Sequence, residues 1–135
     1  MSNLARTLLI GAALAAMAAT PAAARRDSPD VQMQKLLAGR VAGESVDCIS
    51  LSTANSSTII NERAIVYRAG SRLWVNVPRA GVDSLDDDDV LVVRAYGDRL
   101  CSGDTVHMVD RSSRIAHTFV LLGEFVPYEK VKTGQ

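Results

Sequence analysis

Beyond residue 44 the chain alternates between short apolar runs rich in β-branched residues and clusters of Gly, Ser, Asn and Asp. SVDCISL (45–51), STII (57–60), AIVYR (64–68), RLWVNV (72–77), VLVVRAY (90–96), DTVHMVD (104–110) and RIAHTFVLL (114–122) each read as a strand bounded by turn residues. EFVPYEK (124–130) extends the pattern until Pro127, which cannot donate to a ladder and weakens it. Helical signals occur in RRDSPDVQMQKLLAG (25–39). There Ser28 can cap, Pro29 suits the first helical position, Asp30 sits near the positive end and Gly39 can end the helix. Val31, Met33, Leu36 and Leu37 form its imperfect apolar stripe. The pattern predicts a mainly β protein, a small antiparallel β-barrel or sandwich of about six to seven strands with one short N-terminal helix.

Alternation also predicts faces. Around RAGSR (68–72), a loop of odd length puts Ile65, Tyr67, Leu73, Val75 and Val77 on one face, which reads as core. Val66, Arg68, Arg72, Trp74 and Asn76 then share the other face. An even loop mixes the two sets, so alternation favours the odd one. The second face carries the chain's only tryptophan beside two arginines. Such a mixture of apolar area and directional donors is enriched at binding hot spots. Val66, Arg68, Arg72 and Trp74 are therefore the candidate binding patch. The plainer account packs Trp74 beneath the N-terminal helix.

The first 24 residues stand apart. MSNLAR carries one positive charge, Arg6; the small apolar run TLLIGAALAAMAA follows, then TPAAA with Ala22 and Ala24. This is the pattern of a secretory signal peptide cleaved after Ala24. The apolar run is short of the roughly 20 residues a membrane-spanning helix needs, so the mature protein is expected to have no membrane span. The expected layout is a signal peptide at 1–24, a short helix and linker at 25–40, a single β domain at 41–128 and a C-terminal tail at 129–135. Such a length suits one domain.

Charge narrows the partners. The whole chain has 15 Lys plus Arg against 15 Asp plus Glu, and removing the leader takes only Arg6 from this balance. Near-neutrality argues against nucleic acid and against attraction to an anionic membrane surface. The two cysteines, Cys48 and Cys101, lie in a chain marked for an oxidising compartment, and an even count there reads as one disulfide. Closing a loop of that length stabilises the fold by about 4 kcal/mol in the chain-entropy model. No C-x-x-C spacing supports a redox or catalytic thiol.

SLDDDDV (84–90) raises a metal-site question. Calcium needs six to eight converging oxygens, and four consecutive Asp residues point in different directions in either a strand or a helix. Ser84 followed by Asp87 instead fits a capping pattern, giving a solvated turn that leads into a strand. The histidines offer a second metal reading. If Arg111–Ser113 form a three-residue loop, His107 faces His117 across a hairpin, close enough to share a transition metal. A loop of even length separates them, and no third ligand is identifiable. Motifs such as G-x-S-x-G, H-E-x-x-H or a glycine-rich phosphate loop are not found. No cofactor is implied.

SLDDDDVLVVRAYGDRLCSGD, followed by DRSSR and GEFVPY, resembles an uncharacterised family of small exported proteins of Gram-negative bacteria. Its members share a first cysteine near a VDCI-type strand and a second in LCSGD. The similarity covers most of residues 36–128. It implies periplasmic placement and a Cys48–Cys101 pair, and it carries over no activity and no site. The expectation is a noncatalytic periplasmic binding or envelope-associated module, with an envelope protein or glycan as partner. A transition-metal-binding protein using His107 and His117 is the alternative. A small hydrolase inhibitor, or an enzyme without a recognisable motif, is the third.

Overall fold

The structure, a computed structural model, describes residues 25–132 and 134. The expected signal peptide and its cleavage point after Ala24 therefore lie outside the described residues. The helix α1 spans Pro29–Leu37, with the Ser28 side chain accepting the Val31 N–H. Gly39, at φ 69°, then turns the chain into the first strand. In chain order the strands are β1 (Arg40–Ala42), β2 (Cys48–Ser50), β3 (Ser56–Ile60), β4 (Ala64–Ala69), β5 (Arg72–Asn76), β6 (Asp89–Val93), β7 (Arg99–Cys101), β8 (Thr105–Asp110), β9 (Ala116–Leu121) and β10 (Phe125–Lys130). A 3₁₀ turn, Val82–Ser84, precedes β6.

All the ladders are antiparallel. They form a five-stranded sheet in the order β1-β10-β5-β4-β3, a two-stranded sheet β2-β7 and a three-stranded sheet β6-β8-β9. The mainly β reading with one helix holds. The strand count is larger than expected, and no closed barrel forms, because β3 and β6 each end a sheet. Two of the additional strands, β1 and β7, are three residues long and too short to display alternation. β10 also runs on to Lys130, into the segment expected to be tail.

The five-stranded sheet is covered on both faces. Ile60, Ala64, Val66, Leu73 and Val75 pack against Met33, Leu36 and Leu37 of α1. On the opposite face, Ile59, Ile65, Tyr67 and Phe125 join Ile49, Leu100, Val106, Met108 and Val120 from the other two sheets. This double burial sets the hairpin register. β4 and β5 are joined by the two-residue turn Gly70–Ser71, with Ala69 opposite Arg72 and Tyr67 opposite Trp74. Gly70 has φ 59°, as the first central position of such a turn requires. The loop is thus even, not odd. Mixing the two sets of side chains carries no penalty when both faces are dry.

Pro127 lies inside β10, between β1 and β5. Its carbonyl accepts from the Gly43 N–H at 2.8 Å, so its nitrogen faces the side where β1 has just ended at Ala42. The reciprocal bond to the Gly43 carbonyl is the one a proline cannot make, and the ladder with β1 stops at this point. The sharp corner from β9 to β10 is held by Asn76, which is fully buried. Its side chain donates to the Gly123 carbonyl at 2.8 Å and accepts from the Gly123 N–H at 3.1 Å. A Cβ at Gly123 would lie 2.3 Å from the Val77 carbonyl oxygen, so only glycine fits this approach.

Candidate functional site

The even hairpin divides the expected binding patch. Val66 points towards α1 and is buried, and Arg68 lies on that same side of the sheet, exposed. Arg72 and Trp74 point the other way, so Trp74 does not pack beneath the helix. It lies partly buried at the margin of the core formed by the three sheets. The Arg72 guanidinium carbon is 5.3 Å from the Trp74 ring centroid, within cation–π range. Arg72 also pairs with Glu129 on the neighbouring β10. Arg40 donates to the Ser71 carbonyl at 2.6 Å and to the Tyr128 carbonyl at 3.3 Å, tying the hairpin turn to β10.

This Arg72–Trp74–Glu129 ridge separates two surface concavities. One, about 690 Å³, is lined by Thr53, the Ala69–Arg72 turn, Trp74, Glu129, Lys130 and Lys132. The other, about 440 Å³, runs along Val41–Glu44, Val46 and Pro127. The first brings two lysines and an arginine to the edge of an indole. Its chemistry suits an anionic group held beside an apolar or sugar face. Arg68 and Val66 take no part.

The histidines are not brought together. A bulge between Met108 and Val109 shifts the β8–β9 register, so His107 stands opposite Phe119, with ring centroids 6.3 Å apart. His117 lies in the bulged stretch, and its Nε2 is 2.9 Å from Asp89 Oδ2. The cross-strand histidine pair expected from a three-residue loop is therefore absent. Two features give the physical reason. The Asp110 N–H donates to the Ile115 carbonyl, so the loop has four residues and not three. With Met108 opposite Thr118 and Val109 opposite Ala116, His117 has no partner position of its own.

The aspartate run is a turn, though not the capped one expected. The 3₁₀ turn ends at Ser84, and Leu85 is buried beyond it. Asp86 accepts from the Asp88 N–H at 2.9 Å and Asp87 is held by Asn61, whose side chain accepts the Asp87 N–H at 2.6 Å. Asp89 begins β6 opposite Asp110 and is buried, so the fourth carboxylate is not solvated. Asp86, Asp87 and Asp88 bring carboxylate oxygens near one another on the surface. Asp87 is also met by Arg26 at 3.7 Å and by the Asn61 side chain, and Asp86 and Asp88 border a concavity with Asp89, Asp110 and His117.

LCSGD has a structural explanation. Cys101–Asp104 make a turn with Gly103 at φ 89°, the positive value a type II turn needs at its third residue. Asp104 accepts from the Cys101 N–H at 2.7 Å. Cys101 is bonded to Cys48 directly across the β2–β7 ladder. Nearby, the Ser50 and Ser52 hydroxyls on Asp98 hold its carboxyl below the usual range. At the β8–β9 turn, the Ser112 hydroxyl and then the Ser113 backbone N–H do the same, more strongly, for Asp110. Burial pushes the Tyr67 hydroxyl well above its ordinary value, and that hydroxyl has no hydrogen-bond partner.

Reasoning from sequence missed Asn76 as a structural residue by placing it on a wet face beside Trp74. A lone amide at the end of an apolar strand was the available signal. No helix among the described residues is long and apolar enough to cross a membrane. No family model, no curated protein and no solved structure matches this chain.

Proposed function

We propose that this chain is an exported, noncatalytic binding module of the bacterial periplasm that contacts an anionic envelope glycan through the Trp74 concavity. The leader pattern supports the location. The observation that carries the binding reading is the convergence of Arg72, Lys130 and Lys132 on the partly buried edge of Trp74. Arg72 is already paired with Glu129 on an exposed surface, where such a pair is worth only about 0–1 kcal/mol and yields readily to a better anion. The part of the indole left open offers a sugar ring an apolar contact, and the lysines meet its carboxylates.

The single tryptophan reports on this directly. Titrating the protein with acidic oligosaccharides should change Trp74 emission and reduce its quenching by acrylamide. Neutral oligosaccharides of the same length should do much less. Lys130→Glu should weaken the acidic series while leaving the fold's circular dichroism unchanged. Equal responses to acidic and neutral sugars, or none to either, would remove the reading.

A further inference from the structure

A second surface has a different character. The five-stranded sheet ends at β3 and the three-stranded sheet ends at β6, and these two edges border the same concavity of about 400 Å³. Ser57, Thr58 and Ile59 line it from β3, and Asp89, Val90 and Leu91 line it from β6. One end is clamped: the Asn61 side chain bonds Asp87, and the Glu62 N–H donates to the Leu85 carbonyl at 3.1 Å. Beyond the clamp the strands have no ladder between them, since β3 pairs only with β4 and β6 only with β8. Each therefore keeps a row of backbone groups that no strand satisfies.

We propose that this seam accepts an extended segment of a partner polypeptide, which adds to the β6 edge antiparallel to it. The other edges are poorer templates. β1 is three residues long, and β9 is already met at Leu121 by a bridge from Ala80. β6 carries no proline or lysine and leaves Val90 and Val92 exposed, so beyond the inward-pointing Asp89 at its start it lacks the usual devices that block pairing. The seam's inner side presents Ile59 and Leu91, both part of or packed on the main core. Alternate side chains of the incoming strand would cover these, as strand addition requires.

Charge fixes the direction and the chemistry. Asp86 and Asp88, both exposed, flank the clamped end, where Asp87 is met by Arg26 at 3.7 Å, Asp89 is bonded to His117, and Arg111 lines the concavity as a second cation. A strand antiparallel to β6 brings its C-terminal end to these carboxylates. The partner is thus an extended apolar segment with Lys or Arg near its C-terminal end. A segment with acidic residues there is repelled. This surface is separate from the Trp74 concavity, and its test does not depend on sugar binding.

The test uses a short blocked peptide of alternating Val and Thr with lysines at its C-terminal end, and an isomer with the lysines at its N-terminal end. Amide hydrogen exchange of Asp89–Val93 is followed with each. The first peptide should slow exchange of the unpaired β6 amides at least tenfold, and the isomer should do less. Asp88→Lys, an exposed turn position, should weaken the first peptide by about threefold, as expected for an exposed charge pair. No protection at β6, protection confined to other edges, or equal binding of the two peptides to both proteins would overturn the proposal. Concentration-dependent self-association that protects β6 without peptide would overturn it too, by making a second copy the occupant.

Discussion

Tyr67 is the residue whose chemistry least matches its surroundings. Its ring packs 5.8 Å from that of Phe125 in the core, yet its hydroxyl is buried without a partner. A buried hydroxyl left unpaired costs on the order of 1–3 kcal/mol. Tyr67→Phe keeps the ring contact and removes the orphaned group. Denaturant melts should place this variant above wild type by roughly 1 kcal/mol. A loss of stability would mean the hydroxyl is satisfied in solution. The contrast with Asp110 is instructive: three bonds from Ser112 and Ser113 satisfy one carboxylate oxygen of an otherwise unremarkable turn residue.

Among the elements, the β5–β9–β10 corner is the most tightly specified. Asn76 bonds both backbone groups of Gly123, and Gly123 has no room for a side chain. Asn76→Ala strands a buried N–H and a buried carbonyl, at about 1–3 kcal/mol for each group. Thermal melts should show a large drop for Asn76→Ala and a comparable drop for Gly123→Ala. A melting temperature near wild type in either variant would deny the corner its importance. At this scale the sequence is legible where an element is long and one rule applies. The strand β8 (Thr105–Asp110) and the capped start of α1 at Ser28 both follow local chemistry, whereas the turn and bulge that set the β8–β9 register do not. The β4–β5 register does not, because parity assumes one wet face. Here α1 covers Val66, Leu73 and Val75 while the other sheets cover Ile65 and Tyr67. Trp74, expected either in an exposed patch or beneath α1, is instead partly buried on the opposite face, and its companions were not readable. Lys130 and Lys132 reach it only through the pairing of β10 with β5, which no local pattern encodes.

For the whole molecule, the Cys48–Cys101 bond is the main covalent constraint. It joins β2 to β7, two strands of three residues that contribute few ladder bonds of their own. Replacing both cysteines with alanine should cost about 4 kcal/mol, the loop-closure value for this separation. Adding reductant should lower the wild-type denaturation midpoint to that of the double variant, while the midpoint without reductant stays well above it. A midpoint unaffected by reductant in wild type would show that the bond adds nothing to the fold.

The strand order has a consequence for how the chain reaches this state. β10, the last strand in the chain order, lies between β1 and β5, and Arg40 is opposite Lys130. The largest sheet therefore cannot assemble from the N-terminus as the chain emerges. Until β10 arrives, β1 has nothing to pair with and β5 is bare along one side. Such distant pairings make for slow folding, on the millisecond-to-second scale. A polypeptide built this way closes its largest sheet only once its last strand is present, so its first and last strands are fixed in one step.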